Sequence, residues 1–344
     1  MTLLETLPET QTEALEHAAH VEASACPLCG GTQQPWLALA GDWRRPTVRE
    51  GFRIERCTTC DYGSLVPRPA ADEIGPHYAV DNYYTHHAPQ DVEAMRSFGD
   101  RLRVRLAWQF DHGVESELNA ASLARRNILP AARVCDIGCG NGGMLRRLAG
   151  DGYEVAGMDP DADACKAARA AGLDVVQGTA EQLPAELAAG SFDVVTMMHV
   201  LEHVLQPTLA VQSIASLLKS GGRFIVETPN NACLGLREAG ITWRWLDVPR
   251  HLNFFTPESL QAVCRAAGLE IEAVEFTGFT RQFQYDWLAD EQEIHGRLKA
   301  MNYAPSSPLP PRNSAARAWR LLAKTWRAPD ALKYDSVRVI ARKA

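Results

Sequence analysis

Residues 134–145 read Val-Cys-Asp-Ile-Gly-Cys-Gly-Asn-Gly-Gly-Met-Leu, an apolar strand that runs into a glycine turn and then into a helix. Gly138 and Gly140 permit a sharp turn and let backbone amides approach a ligand where a Cβ atom would collide. The spacing Gly138-x-Gly140-x-x-Gly143 is also found in dinucleotide-binding loops, but on its own it has low specificity. This stretch predicts a ligand-binding strand–turn–helix unit.

Two carboxylates narrow the choice of ligand. Asp159 ends the next predicted strand, 21 residues after Gly138, where its two oxygens can accept hydrogen bonds from both ribose hydroxyls. Asp136 precedes Gly138 by two residues and would repel the pyrophosphate of a dinucleotide at the helix N-terminus. Asp136 instead suits a ligand with a positive charge near the loop, such as the ammonium group of S-adenosylmethionine.

From residue 131 onward, short apolar runs alternate with helical stretches, which is typical of βαβ units and a parallel sheet. Strands are predicted near 132–137, 153–158, 173–177, 192–197, 222–228, 269–278 and 334–342, and helices near 142–151, 161–171 and 206–219. A further helix should begin at Thr256-Pro257, because Thr can cap a helix and Pro suits its first turn. Gly268 should end that helix.

The ordered blocks VCDIGCGNGG, EVAGMDPD, VVQGTAEQLP, SFDVVTMMHVLEHVLQP, LLKSGGRFIVETPN and RHLNFFTPESLQAVCRAAGLEI resemble those of class I S-adenosylmethionine-dependent methyltransferases. GCGNGG and DVVTMMHVLEHVLQP are most similar to the ubiquinone-biosynthesis O-methyltransferases. The resemblance implies an α/β fold with a Rossmann-like seven-stranded sheet whose last strand is antiparallel, and S-adenosyl-L-methionine as the cofactor.

The resemblance also implies a cofactor site. It places the glycine loop around the methionine part of the cofactor, Asp159 on the ribose, residues 179–181 beside the adenine, and Met198 and His199 at the border. Many relatives carry Asp where Thr179 stands, so adenine contacts should rely on backbone groups. The predicted cofactor-binding residues are Asp136, Gly138, Cys139, Gly140, Asn141, Asp159, Pro160, Thr179, Ala180, Glu181, Met198 and His199.

Ahead of this region stand two CxxC pairs, Cys26/Cys29 and Cys57/Cys60. Each pair can supply two thiolates, and two pairs complete a tetrahedral zinc shell with no open position. Structural zinc is therefore the first interpretation, and a redox thiol pair is the alternative. The arrangement is similar to N-terminal zinc modules that precede bacterial methyltransferase domains. The predicted organisation is a leader (1–24), a zinc-binding module (25–90), a helical linker (91–128) and a methyltransferase domain (129–344) with an insertion at about 281–331.

Composition sets broad limits. The 344 residues are 46% apolar and 22% charged, as in an ordinary folded protein. A net charge of −7 argues against a nucleic-acid partner. The N-terminus lacks the basic and apolar regions of a secretory signal, and no apolar run approaches the length of a membrane span. The expectation is a cytoplasmic protein that acts on a small-molecule acceptor.

Two histidines compete for the role of the base that an oxygen acceptor needs. His203 lies in the segment 199–203, whose spacing puts polar groups on one helical face, and His251 follows the fifth strand of the predicted sheet. The ubiquinone-pathway relatives carry Glu, Glu and His at the positions of His199, Glu202 and His203, so His199 here speaks against a divalent ion. Methylation of a sugar carbon or nitrogen, of ribosomal RNA, and a non-catalytic interaction role remain alternatives to O-methylation.

Overall fold

The computed structural model describes residues 25–45, 51–78, 97–301, 306–310 and 314–344; the leader predicted at 1–24 lies outside them. The strands are β1 (Gln33–Leu39), β2 (Phe52–Cys57), β3 (Gly63–Val66), β4 (Arg133–Ile137), β5 (Glu154–Asp159), β6 (Val175–Gln177), β7 (Phe192–Met198), β8 (Leu218–Pro229), β9 (Asn253–Phe254), β10 (Leu269–Thr277) and β11 (Ser336–Lys343). The helices are α1 (Ala71–Tyr78), α2 (Phe98–Phe110), α3 (Ala120–Ala124), α4 (Gly143–Gly150), α5 (Ala162–Ala170), α6 (Pro207–Leu217), α7 (Leu234–Ala239), α8 (Pro257–Ala266), α9 (Tyr285–Met301), α10 (Ser314–Thr325) and α11 (Asp330–Lys333).

The chain forms two compact units. Unit 1 takes its described residues from 1–112, 231–254 and 279–335, and unit 2 consists of 113–230, 255–278 and 336–344. Among the described residues, no helix combines the length and the apolar character that a bilayer-spanning segment needs.

Unit 2 contains a seven-stranded sheet in the order β10-β11-β8-β7-β4-β5-β6. Strands β8, β7, β4, β5 and β6 run parallel, whereas β11 is antiparallel to both β8 and β10. The α/β sheet with an antiparallel last strand confirms the predicted fold class. Because the carboxyl ends of the parallel strands meet at one edge, the loops that follow β4, β5, β6 and β7 share that edge.

The sheet of unit 2 forms from apolar runs that are buried on both faces, as parallel strands require. Val134, Val194, Ile225 and Ile340 come from four strands and share one buried cluster. Helix α8 begins where the sequence predicts, since Thr256 caps it by accepting a hydrogen bond from the Ser259 amide, in a capping box.

Unit 1 combines three separate segments of the chain. Strands β1, β2 and β3 form an antiparallel sheet, and β9 pairs with β3 at its edge. A buried ion cluster links the N-terminal segment to residues 247–250, because the Arg250 guanidinium donates to both oxygens of Asp42, at 2.7 and 2.9 Å. Arg250 and Arg44 also both donate to Asp247. Each buried charge is therefore paired, as burial requires.

Candidate active site and metal centre

The glycine loop follows β4 in unit 2. The amides of Gly138 and Cys139 both donate to the Met158 carbonyl of β5, at 2.7 and 3.1 Å. Gly138 and Gly140 have φ of +76° and +54°, which disfavour residues with a side chain. A Cβ atom at Gly138 would lie 2.3 Å from a methyl carbon of Val200, so only glycine allows the loop after β7 to pack here.

Asp136 lies buried at the end of β4, and the Thr196 hydroxyl donates to its carboxylate at 2.7 Å. Burial raises the pKa of Asp136 to about 7, against the lowering effect of Thr196, and the negative charge of Asp159 adds to the rise. The carboxylate is therefore poorly solvated and would gain from a nearby positive charge. This property fits a cationic ligand at the glycine loop.

Asp159 ends β5 and holds the glycine loop from the other side. One oxygen accepts the Gly140 amide at 2.8 Å, and the other accepts the Asp161 amide at 2.9 Å. Burial raises the pKa of Asp159, whereas these two amides lower it. Each carboxylate oxygen has a second lone pair, so Asp159 can still accept hydroxyl groups. Next in sequence is the exposed Pro160, whose carbonyl accepts a hydrogen bond from Gln177.

Residues 179–181 follow β6 and contact the loop after β7, residues 199–206, here called the post-β7 loop. Glu181 accepts the backbone amides of Leu205 at 2.7 Å and of Gln206 at 3.4 Å. Thr179 is exposed and Ala180 is buried. Glu181 is therefore engaged by the protein backbone, a role that the sequence does not indicate.

Residues 199–204 form turns rather than the helix that their spacing indicates. The cause is His199, whose φ of +55° is left-handed and whose amide donates to the Glu227 carbonyl of β8 at 2.8 Å. His199 and Glu202 nevertheless meet, with 3.4 Å between ring nitrogen and carboxylate. The predicted cofactor-binding residues thus lie on the loops at the carboxyl edge of the unit 2 sheet, where the half-buried Met198 ends β7 and the exposed Asn141 lies in the glycine loop.

The two candidate bases belong to different units. His203, half-buried in unit 2, has its amide bonded to the Val200 carbonyl at 2.9 Å. His251 is buried in unit 1, and its Nδ1 lies 2.8 Å from the Trp245 carbonyl oxygen. A carbonyl oxygen only accepts hydrogen bonds, so Nδ1 carries a proton, and in the neutral form of the ring the lone pair is on Nε2.

The four predicted metal-binding cysteines meet at one point in unit 1. All four sulfur atoms lie within 4.8 Å of one another, and two cross-pair separations are 3.7 Å (Cys26 to Cys60) and 3.5 Å (Cys29 to Cys57). Tetrahedral zinc with Zn–S bonds of about 2.3 Å requires sulfur separations of about 3.8 Å. The donor set and its spacing therefore fit zinc.

The local turns explain this convergence. The residue after the second cysteine of each pair, Gly30 or Asp61, has a left-handed φ, +72° or +60°, which turns each pair into a tight knuckle. A Cβ atom at Gly31 would lie 2.6 Å from the Thr59 hydroxyl oxygen and 3.1 Å from the Cys57 sulfur. Glycine at 31 thus lets the two knuckles approach.

Four residues that contact the predicted site residues, directly or through one another, are not indicated by any sequence motif. They are Thr196, Val200, Glu227 and Arg338, all in unit 2. Glu227 and Arg338 do leave one signal, since each interrupts an apolar run, FIVETP or SVRVIAR. A charged residue within a buried strand requires an opposite charge, and the two residues are in fact paired at 2.7 Å.

Comparison with known proteins identifies the family. A family model described as a methyltransferase domain matches residues 95–274. The chain therefore belongs to the methyltransferase family, and its fold and relatives make it a class I S-adenosylmethionine-dependent methyltransferase.

Two curated relatives and one solved structure illustrate what the chain is similar to. Ubiquinone biosynthesis O-methyltransferases of Xanthomonas axonopodis pv. citri and Xanthomonas euvesicatoria pv. vesicatoria are each 35% identical to it, over 48% of this chain and 77% of each relative. A solved S-adenosylmethionine-dependent methyltransferase of Thermotoga maritima, described as a possible histamine N-methyltransferase, matches with a TM-score of 0.43 and 22% identity, over 71% of this chain and 92% of that one.

Proposed function

We propose that this enzyme transfers the methyl group of S-adenosylmethionine to a hydroxyl oxygen of a small biosynthetic metabolite. The observation that carries the proposal is the 35% identity, over 77% of their length, to relatives named for O-methylation in ubiquinone biosynthesis. The poorly solvated Asp136 beside the glycine loop supports it, because it suits a cofactor that carries positive charge.

The residues of unit 2 have separate roles in this proposal. Asp136 faces the ammonium group of the cofactor, Asp159 accepts the ribose hydroxyls, and the loop at 179–181 borders the adenine. The bound cofactor supplies a methyl group on a positively charged sulfur. The protein holds the acceptor oxygen in line with that carbon and removes its proton, which are the two tasks that methyl transfer to oxygen leaves to it.

Of the two candidate bases, we favour His251, because a hydrogen bond to its Nδ1 fixes the tautomer of the ring. The Trp245 carbonyl fixes the proton on Nδ1, so that Nε2 can receive the proton of the acceptor hydroxyl. A base oriented by a second group is the usual arrangement of a catalytic histidine. We keep His203 as the alternative base.

The test of the reaction is incubation of the enzyme with methyl-labelled S-adenosylmethionine and a metabolite extract of the host. We expect one labelled small molecule whose label is an O-methyl ether. Label on nitrogen or on a sugar carbon would contradict O-methylation. Label in ribosomal RNA, added to a parallel reaction, would contradict a small-molecule acceptor.

The role of His251 can be separated from its packing. We expect both His251→Ala and His251→Asn to lower kcat at least 100-fold with the identified acceptor, because general-base catalysis contributes about 10² to 10⁴. Asparagine can still donate to the Trp245 carbonyl, so its variant should keep the wild-type melting temperature. If His251→Asn retains near-normal turnover whereas His203→Asn does not, the base is His203.

We further propose that Cys26, Cys29, Cys57 and Cys60 hold a structural zinc ion that stabilises residues 25–90 as a module. The sulfur separations of 3.5 and 3.7 Å support zinc. Four thiolates fill the tetrahedral shell, so the ion has no position for a substrate.

A further inference from the structure

A chain of four ionisable groups joins the post-β7 loop to strands β8 and β11 in unit 2. His199 lies between two carboxylates, 3.4 Å from Glu202 through Nδ1 and 3.1 Å from Glu227 through Nε2. Glu227 in turn accepts from the Arg338 guanidinium at 2.7 Å and from the Thr277 hydroxyl at 2.9 Å. The carboxylates and the guanidinium are almost completely buried.

The two carboxylate contacts of His199 favour a positive ring. Glu202 and Glu227 are almost completely buried and each lies within 3.4 Å of a ring nitrogen, so a protonated imidazole offsets negative charge that burial would otherwise penalise. Burial works against the charged ring, but Glu202 and Glu227 outweigh it and raise the pKa of His199 to about 9. A protonated imidazole has no lone pair for a metal, so the His199 ring would not be a metal ligand.

Glu202 and the Glu227–Arg338 pair, here called the clamp, hold His199 at the start of the post-β7 loop. This loop packs against the glycine loop. His199 carries a left-handed φ of +55°, and its neighbour Val200 packs where a Cβ atom at Gly138 would collide with it. The other end of the loop is held by Glu181, which accepts the Leu205 amide. A shift at His199 would therefore move Val200 away from the glycine loop.

We propose that His199 is a positioning residue: an imidazolium, clamped by Glu202 and by the Glu227–Arg338 pair, that holds the post-β7 loop against the glycine loop and so raises affinity for the cofactor. In this proposal, a side chain of the protein supplies the positive charge that holds the loop in place. The inference rests on cofactor binding at the glycine loop, which belongs to the proposed function.

The test measures binding of S-adenosylhomocysteine by calorimetry, for wild type and His199→Gln, between pH 7.5 and 10.5. We expect about tenfold weaker binding of the variant at pH 7.5, because hydrogen bonds to charged groups are lost. The variant-to-wild-type ratio of Kd should fall towards one above pH 9, as the wild-type ring loses its proton. The ligand's own ionisation cancels in this ratio, and a ratio that is constant with pH overturns the proposal.

Other groups must not produce the same pH profile. The charged or titratable groups around His199 include Glu202 and His203 on its own loop, Glu227 on β8, Arg338 on β11 and Glu275 on β10, which is 3.8 Å from Arg338. Carboxylates and arginine do not titrate between pH 7.5 and 10.5, and His203 is present in both proteins, so its ionisation is common to both sides of the Kd ratio. His295→Gln, on helix α9 of unit 1, is the matched control, and its Kd should equal the wild-type value at every pH.

A second measurement does not depend on the ligand. The His199 ring, assigned by comparison with His199→Gln in NMR spectra of histidine-labelled protein, should titrate near pH 9 in wild type and at lower pH in Glu227→Gln. Titration of wild-type His199 near 6.5 overturns the clamp. Failure of wild-type protein to bind S-adenosylhomocysteine, with His199 still titrating near 9, removes the proposed cofactor site and with it the positioning role, but leaves the buried cation itself established.

Discussion

Replacing Asp136 with asparagine will weaken binding of S-adenosylmethionine about 100-fold and, at pH 8, will also raise the stability of the protein. The loss follows from removal of the charge that, in the proposed site, faces the cofactor's ammonium group, since hydrogen bonds to charged groups contribute about 1.5–3 kcal/mol. Asparagine has nearly the same shape and can still accept the Thr196 hydroxyl, which now donates at 2.7 Å. Isothermal calorimetry and thermal denaturation measure the two effects.

The gain in stability follows from the pKa of Asp136, which is about 7 in the folded protein and about 3.9 in an unfolded chain. The folded state therefore binds this proton more tightly, so wild-type stability falls as pH rises from about 4 to 7 and stays lower above that range. An asparagine avoids the cost, which reaches about 4 kcal/mol above pH 7. Below pH 4 the variant and wild type should be equally stable.

Cofactor binding should show the opposite dependence on pH. A positively charged ligand lowers the pKa of Asp136, so below pH 7 binding must first displace a proton, and the wild-type Kd should rise by up to tenfold per pH unit. Asp136→Asn should lack this rise. The exposed Asp174 provides the control, because Asp174→Asn should change neither Kd nor melting temperature by a measurable amount. A wild-type Kd that is constant from pH 5.5 to 8 would sink the proposed role of Asp136.

Much of the unit 2 sheet follows from its sequence, because its strands and helix ends are determined locally. The apolar run before Gly138 is β4, and Thr256-Pro257 begins α8 as expected, because a capping side chain acts on amides within three residues of itself. The positions of the glycine loop after β4 and of Asp159 at the end of β5 also follow from the local sequence pattern. Asp159 and Met198, which end β5 and β7, are predicted site residues whose place follows in this way.

The rest depends on contacts that spacing does not reveal. Glu227 and Arg338 are 111 residues apart in sequence. Each lies in an otherwise apolar strand, and their pairing becomes evident only when the two strands are known to be neighbours in the sheet. In the post-β7 loop, the local sequence pattern instead indicates a structure that the loop does not adopt. Its i, i+3 spacing indicates a helix, but His199 has a left-handed φ and the His203 amide donates to the Val200 carbonyl, three residues back, as in a turn. The association of separate segments in unit 1 could not be predicted either, since the ion pair of Asp42 and Arg250 joins residues that are far apart in sequence.

Loss of zinc should have the largest effect on unit 1. We expect purified protein to contain one zinc ion per chain, and Cys57→Ser to lose it and to lower the melting temperature by more than 10 °C. Structural zinc contributes about 10–16 kcal/mol of apparent binding free energy in small zinc modules, and a hydroxyl is a much poorer ligand than a thiolate. Metal analysis and thermal denaturation of the same preparations measure both expectations.

Cys264→Ala is the matched control, because Cys264 is buried in helix α8 of unit 2 and its replacement should not change the zinc content.

The redox alternative makes a different prediction from the same sulfur separations. If Cys26 and Cys60, and likewise Cys29 and Cys57, are redox pairs, mild oxidation of metal-free protein should form those two disulfides reversibly, and protein purified under reducing conditions should contain no zinc. If these cysteines instead bind zinc, the four thiols should resist alkylation until a chelator removes the ion, since a metal-bound thiolate is shielded from the reagent. Rapid alkylation of all four in untreated protein would therefore contradict the zinc centre.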